Sequence, residues 1–525
     1  GLSRISELMR LLGDPQKNLK FVHIAGTNGK GSTAAMLANI LKEAGYTTGL
    51  YISPFLYNFN ELIQVDNVPV SDEEIIFLVD EIKKFELPDA PTEYEIITAM
   101  AFLYFWKKNC DIVVLEVGMG GRLDSTNVID SPEVAVITAI GLDHTAQLGD
   151  SVEKIAREKA GIIKKNCAVV CHPQTASVEK IIREKCAETN SFVTFADDGA
   201  IFLVQNNSDG QIFLYEREHA GRADDKIFSH EREHAGRTDD KIFSHERERA
   251  VCADDKIFSH ERERAGRAND KIFSRECEKK MQAGQVSDKK NFSNSEQIFG
   301  DVARANPHHE SRACNAEDNS PHENRAGQAL GAIKIPLLGE HQLRNAAVVL
   351  ETIYTLRRKG WGISDDAVRN GFGTTIWRGR FEIMRREPVF IIDAAHNSQG
   401  IQATLDGLKK IFPAQKFIFI FGVLADKDFE QMLDILIPHT KKIFFVTPEN
   451  SRALPAHALR ASVFAGFSEK NLTFSLCENV RKHSVVCKTI PDAIHSALEY
   501  AQNNDIICAL GSLSLAGTVR RFFAE

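Results

Sequence analysis

The chain has 525 residues, 43% of them hydrophobic, which is longer than one hydrophobic core normally serves, so two or more domains are expected. Its formal charge of −8, with Lys and Arg spread along the chain, leaves no electrostatic footprint for a nucleic acid. No run approaches the roughly 20 apolar residues of a membrane span. The 10 cysteines lack Cys-x-x-Cys spacing, and several, among them Cys110, Cys167, Cys171, Cys487 and Cys508, read as small hydrophobes of a reduced, cytoplasmic protein.

The opening "GLSRISELMRLLG" has the pattern of a short amphipathic helix rather than a signal peptide. From Phe21 to about Val170, apolar runs such as "KFVHIAG", "TTGLYIS", "DIVVLEVG" and "EVAVITAIG" alternate with the helical patterns "STAAMLANILKEAG", "YEIITAMAFLYFWKKN" and "SVEKIAREKAGII". Near-continuous apolar strands separated by helices predict an α/β domain with a mostly parallel sheet covered on both faces. The alternation returns after about residue 360 in "PVFIIDAAHN", "KFIFIFGVLADKD", "KKIFFVTPEN" and "DIICALGSLSLAG", which predicts a second, smaller Rossmann-like α/β domain. Residues 1–358 and 359–525 are the expected units.

Between them, four copies of a 15-residue unit such as "EREHAGRADDKIFSH" run from Glu216 to Arg275. Each copy offers one Ile-Phe pair, too little apolar surface to offset the ordering of the chain, so 216–330 is expected to be a largely disordered, low-complexity insertion. A partner-binding module is the alternative. The flanks "AIFLVQNNSDGQIFLYE" and "AIKIPLLGEH" have the look of hairpin strands that the insertion interrupts.

The chemistry gathers at strand ends. "HIAGTNGKGS", residues 23–32, leaves a strand and enters a helix, so unpaired helical N–H groups face whatever anion the glycines admit. Lys30 adds a mobile positive charge and Ser32 a hydroxyl able to reach a metal, although Gly31 breaks the usual Gly-x-x-x-x-Gly-Lys-[Ser/Thr] spacing. Tight packing alone would be the bland explanation of such a turn.

Glu116 ends "DIVVLEVG" and His144 follows "VAVITAIG", where parallel sheets place their ligands. With phosphate oxygens and water they could form a Mg²⁺ shell, though singly each is more often structural. Lys159 shares a helical face with Val152, Ile155 and Ala156, which leaves two readings: a lysine that snorkels to the domain edge, or a buried functional amine. In the second domain Arg380 of "RGRFEIM" could neutralise charge in phosphoryl transfer or simply form a surface ion pair, and Asp393 and His396 stand just beyond a strand.

Together "HIAGTNGKGS", "YISPFLYNFNE", "LEVGMGGRLDSTN", "ITAIGLDHTAQLGDSVEKIAREKAGIIK", "LLGEHQLRNAAVVLE", "WRGRFEIM", "DAAHN" and "ALGSLSLAG" resemble, in order, the folylpolyglutamate synthase and dihydrofolate synthase family, relatives of the muramyl-peptide ligases. The resemblance implies an N-terminal ATPase domain and a C-terminal glutamate-ligase domain in a monomeric ATP-dependent acid–amino-acid ligase. Thr27, Asn28, Gly29, Lys30, Gly31 and Ser32, with Asn345, Arg380, Asp393 and His396, would hold ATP. Ser53, Glu116 and His144 would bind Mg²⁺, and Lys159 as a carbamate would hold a second ion. Thr92, Glu93, Tyr94 and Glu95, with Leu123, Asp124 and Ser125, would contact the pterin. Lys30, Lys159, His144 and Arg380 would serve catalysis.

The implied reaction passes the γ-phosphate to a carboxylate of dihydropteroate or a folate, and the amine of L-glutamate then displaces phosphate from the acyl phosphate. Three residues depart from the family pattern, Phe55 for His, Arg378 for Pro and Ala394 for Gly, and they bear on efficiency or substrate preference. A vestigial ligase that binds a partner through its repeats, and a muramyl-peptide-type ligase, are the competing expectations.

Overall fold

The computed structural model describes residues 1–216, 330–413, 416–466 and 483–524, apart from 88 and 143. The repeat insertion lies outside the described residues except for its two ends. The first sheet has eight strands: β1 (Phe21–Ala25), β2 (Thr48–Tyr51), β3 (Ile63–Val65), β4 (Val68–Pro69), β5 (Ile112–Glu116), β6 (Val134–Ile137), β7 (Ala168–Cys171) and β8 (Phe192–Phe195). Their spatial order is β4-β3-β2-β5-β1-β6-β7-β8, parallel except for the β2–β3 and β3–β4 pairs.

The central strands β1, β5 and β6 are buried at every position, which is why "FVHIA" and "IVVLE" are apolar almost without alternation. One face is covered by the helices Ser3–Leu11, Asp72–Ile82 and Glu93–Lys107 around Phe21, Tyr51, Phe102 and Phe105. On the other lies the helix Lys30–Glu43, itself sandwiched by the helices Glu340–Arg358 and Asp365–Gly373. The last contact is close enough that a Cβ on Gly371 would stand 2.5 Å from Ile40 Cα. The unit around the first sheet therefore runs past residue 358, and a boundary drawn there would cut this helix from its packing partner.

A three-stranded antiparallel sheet, β9 (Ile201–Asn207), β10 (Gly210–Tyr215) and β11 (Ile333–Ile335), follows β8. In it Phe213 pairs with Ile333 and Gln211 with Ile335, so the ends of the insertion leave from one hairpin. Gln211 Nε2 donates to Leu337 O at 2.8 Å and Gly339 O at 3.0 Å, and Tyr215 Oη donates to Glu351 Oε1 at 2.9 Å, which anchors this sheet to the helix Glu340–Arg358.

The second sheet comprises β12 (Glu382–Arg386), β13 (Val389–Ile392), β14 (Phe417–Phe421), β15 (Thr440–Phe445), β16 (Ser484–Val486) and β17 (Ile506–Leu510). Its order is β12-β13-β17-β14-β15-β16, parallel except for the β12–β13 pair, with β14 and β17 wholly buried. In the first sheet strand order reverses around β1, which opens a crevice at the carboxyl ends, while in the second β17, the last strand, inserts between β13 and β14. Among the described residues no helix is long and apolar enough to cross a membrane.

Because the ends of the insertion pair in register, joining Glu216 to Leu330 through a four-residue turn should preserve the fold. The entropic cost of closing a loop falls as the loop is shortened, so calorimetry should find an unchanged or higher Tm, and a drop beyond about 5 °C would show that the insertion packs on the domain.

Candidate active site

β1 ends at Ala25 and the helix begins at Lys30, with Gly29 at φ +87° as its N-terminal flank and no side chain capping it. Three glycines shape this turn. Any Cβ on Gly26 would overlap the Thr138 side chain, one on Gly29 would overlap Asn345, and one on Gly31 would stand 2.5 Å from the Trp377 ring. The departure at Gly31 from the common spacing is thus a packing requirement, since a threonine there would meet the indole. Thr27 N donates to Ala139 O at 2.8 Å, and Thr27 Oγ1 donates to Gly141 O at 3.1 Å, which ties the turn to the end of β6. Lys30 Nζ donates to Thr27 O at 3.2 Å and stands 4.0 Å from Glu116 Oε1. With its uncapped amides and a lysine folded over it, the turn is built for an anion.

Glu116 sits at the end of β5 beside β1 and is almost fully buried. Burial pushes its carboxyl up to about 7 against the opposing pull of Lys30, the Ser53 amide and Arg380. The Ser53 hydroxyl is buried near the Tyr94 phenol and next to the carboxylate that its own amide serves. A hydroxyl oxygen beside a carboxylate fits a hard, oxygen-seeking cation.

His144 holds a φ of +47° at the start of the short helix Thr145–Leu148. Burial, with the charges of Lys427, Lys159, Lys30 and Arg452, lowers it to about 3, so the ring is neutral. Lys159 is 3% exposed and its Nζ donates to Gly26 O at 2.7 Å. The snorkelling alternative therefore fails, because the amine ends against the phosphate loop instead of at the domain edge.

The second domain closes the cleft. Asn28 Nδ2 donates to Gln399 Oε1 at 2.7 Å across it. Arg380 turns inward, half-buried, and its charge acts on Glu116, Asp393, His341 and His396. Asp393 accepts from Phe381 N at 2.9 Å and Ala395 N at 2.7 Å, so it braces the turn that presents Arg380. His396 is lowered to about 3 by burial and by Lys427 and Arg380, and its Nδ1 lies 2.8 Å from Ala394 O. Ala394 does not occupy a positive φ, so its backbone tolerates alanine where the family pattern has glycine.

Two cationic groups here are absent from the sequence-based set. Lys427, nearly buried after β14, acts on both His144 and His396, and Arg452, after β15, reaches His144 while its Nη1 binds Asp426 Oδ2 at 2.7 Å. Their signal was position, since both follow the carboxyl ends of parallel strands.

The expected pterin segments divide in role. Thr92 and Glu95 form the capping box of the helix Glu93–Lys107, and Glu95 also takes Arg4 Nε at 3.0 Å, so both side chains are engaged in holding the helix start. Glu93 is half-buried in the first turn, whereas the Tyr94 ring packs directly over Gly118. Asp124 and Ser125 are buried while Leu123 is exposed, which leaves Tyr94 and Leu123 as the apolar faces on this side.

Two models of the Mur ligase family match the chain, the middle domain over residues 24–222 and the glutamate ligase domain over 379–513, between them more than half of its length. The chain is 29% identical over 463 residues to "Folylpolyglutamate synthase" of Lacticaseibacillus casei, covering 86% of this chain and 82% of that protein. It is 29% identical over 532 residues to "Dihydrofolate synthase/folylpolyglutamate synthase" of Bacillus subtilis, covering 99% and 94%. Its fold matches Mycobacterium tuberculosis folylpolyglutamate synthase complexed with ADP and AMPPCP, with a TM-score of 0.70, 26% identity, and coverage of 100% of this chain and 96% of that one.

Glu116 yields a pH test. Its folded carboxyl, near 7 against an ordinary 4.5, binds a proton that the unfolded chain has released, so stability conferred by the protonated form is full below about 4.5 and is lost as pH rises through 7. In metal-free, nucleotide-free buffer, Glu116→Gln should therefore flatten that slope and gain up to about 3 kcal/mol over the native chain at pH 8. Urea unfolding of both proteins at pH 5 and pH 8 measures it, and parallel pH dependences would contradict it.

Proposed function

The chain belongs to the Mur ligase family, with folylpolyglutamate and dihydrofolate synthases as its relatives, and on that premise we propose that it joins L-glutamate to the carboxylate of dihydropteroate or of a folate at the expense of ATP. The observation that carries this reading is the convergence of an uncapped glycine-rich helix start from one domain with Arg380, Lys427 and Arg452 from the other, joined across the cleft at Asn28 and Gln399.

The turn Thr27–Ser32 takes the phosphates through backbone N–H groups, and Lys30 adds charge on the phosphate side. Arg380, held by the Asp393-braced turn, faces the same point from across the cleft and stabilises charge as the γ-phosphoryl group moves to the substrate carboxylate. Asn345, whose side chain presses on Gly29, keeps the turn in register. His144 and His396, neutral through burial, add no charge that would compete with these cations. Ser53, Glu116 and His144 are the residues that would hold Mg²⁺, and Lys159 as a carbamate would hold a second ion; bound, such ions neutralise phosphate charge.

Lys427 and Arg452, from the second unit, act on His144 together with Lys30 of the phosphate loop. Their charge suits the carboxylates of the incoming glutamate, which leaves the amine free to attack the acyl phosphate and expel phosphate. Tyr94 and Leu123 offer apolar surface to a flat pterin ring. Buried free cysteines at positions 110, 167, 171, 186, 487 and 508 support work in a reducing compartment such as the cytoplasm, and we take the chain to act as a monomer.

Incubation with ATP, Mg²⁺, L-glutamate and either dihydropteroate or a reduced folate should release ADP and a product heavier by one glutamyl residue. The two acceptors in parallel decide between the two synthase activities, and no product from either removes the assignment. Lys427→Met should raise the KM for glutamate about tenfold or more while the KM for ATP stays within twofold, the loss of one charge-assisted contact. Lys159→Ala should lower kcat at least a hundredfold, and native activity should fall when dissolved CO₂ is stripped and return with bicarbonate. Full activity in Lys159→Ala would exclude the carbamate.

A further inference from the structure

His23 lies in the middle of β1, wholly buried, three residues before Gly26. Nothing in the reaction described above uses it. Its Nε2 is 2.9 Å from Thr126 Oγ1, and its Nδ1 has no hydrogen-bond partner among the described residues. A buried nitrogen left unsatisfied is costly, and a leucine would fill a strand interior without that cost. The imidazole must therefore be retained for the bond on its other nitrogen.

That bond opens a directed chain. Thr126 Oγ1 donates to Asp124 Oδ1 at 2.5 Å, and the Thr126 amide donates to the same oxygen at 3.0 Å. Asp124 Oδ2 accepts from the Met119 amide at 2.9 Å. Since the Thr126 proton is committed to the carboxylate, its oxygen can only accept from His23. The ring is thus the neutral tautomer with the proton on Nε2 and a bare Nδ1, consistent with burial lowering it to about 3.

One residue further on, Asn127 Nδ2 donates to Arg122 O at 3.0 Å and Gly161 O at 3.2 Å, which closes the loop on itself and on the helix that carries Lys159. The same loop displays Met119 and Leu123, which are exposed, and its Gly118 lies under Tyr94. His23 is the only side chain of β1 in the chain of bonds that reaches this loop, and β1 is the strand that delivers the phosphate turn.

We propose that His23 is a positioning residue for the acceptor substrate: through Thr126 and Asp124 it fixes the loop 118–128 against the strand bearing the phosphate turn, and so sets where the acceptor's carboxylate meets the γ-phosphate. The inference rests on the ligase reading above for its substrate. Its structural content, the coupling of loop to strand, stands apart from that reading.

Three variants test it: His23→Leu, which removes the donor, His23→Gln, whose amide can reach Thr126 from a similar depth, and Thr126→Val, which keeps the shape and removes the relay. His23→Leu and Thr126→Val should raise the KM for dihydropteroate or folate about tenfold, as loss of one buried, charge-linked hydrogen bond does, with the KM for ATP within about twofold of native. His23→Gln should recover most of the loss, and the Leu/Val double variant should be no worse than either single one. Hydrogen exchange at the Met119 and Thr126 amides, measured without any ligand, should quicken in the Leu and Val variants and recover with Gln. An unchanged acceptor KM, a parallel rise in both KM values, or a Gln variant no better than Leu would overturn the proposal. Should the native chain turn over neither acceptor, the ligase reading falls, and the exchange data alone decide the role of His23. If His23→Leu does not fold, Thr126→Val carries the same comparison.

Discussion

Thr138, Asn345 and Trp377 press on three glycines of a single turn, and those three side chains come from the end of β6, from the helix Glu340–Arg358 and from the segment entering the second domain. The constraint is steric: with those partners in place, no side chain larger than hydrogen fits at Gly26, Gly29 or Gly31. What the turn can tolerate is therefore a property of the assembled chain, although the motif spans only ten residues of sequence. Trp377 comes from the segment that leads into the second sheet, yet packs against the core of the first.

Charge is distributed in the same spirit. At 4 Å and an effective dielectric of about 20, a Lys30–Glu116 pair would gain about 4 kcal/mol, enough to hold an ordinary carboxylate ionised. Glu116 is nonetheless pushed up to about 7, so the loss of water outweighs Lys30 and Arg380 together. The two histidines facing Lys427 are driven the opposite way, to about 3, by the same burial and by surrounding cations. Burial thus raises the acid and lowers the histidines, so both kinds of group are driven towards their neutral forms beside Lys30, Arg380 and Lys427.

Much of this was legible in the sequence. Buried parallel strands have no solvent face, so β14 and β17 appear as unbroken apolar runs, β5 as one up to Glu116 and β1 as one broken only by His23, and strand-end positions mark Glu116, His144 and Asp393 without any structure. Lys159 was legible as an anomaly, and only the fold could decide between its two readings by showing where the amine ends. Thr92 and Glu95 show the converse: an S/T-x-x-E pattern just before an apolar helix is a capping signature in its own right, and here that local role engages both side chains. Lys427 and Arg452 escaped because their neighbours, His144 and His396, lie far off in the chain, and no local pattern tells a lysine facing a cleft from one facing water. The helix Asp365–Gly373 was assigned to the wrong side of a boundary for the same reason, since its partner Ile40 is more than three hundred residues away.

The bonds across the cleft differ in kind from those within each wall. The phosphate turn, the loop after β5 and the helix Val152–Ala160 are locked together: Lys159 holds Gly26 O, Arg122 Nη2 holds Glu158 Oε1 at 2.9 Å, and Gly121 sits against the carbonyls of Glu158 and Lys159. Between the two units stand the neutral hydrogen bond from Asn28 to Gln399, the solvent-exposed ion pairs Arg386–Asp209 and Lys410–Glu340, Leu56 wedged against Gly379 and Gly517, and Arg521 over the Tyr57 ring at 5.4 Å. Each such contact contributes on the order of 1 kcal/mol, against the larger cost of breaking a buried polar network. A ligand that bridges the walls, with phosphates on Lys30 and Arg380 alike, therefore has leverage over their separation that it lacks over either wall. The turn, the loop after β5 and the helix Val152–Ala160 are thus fixed relative to one another within one unit, while the spacing of the two units is left to the weaker contacts between them.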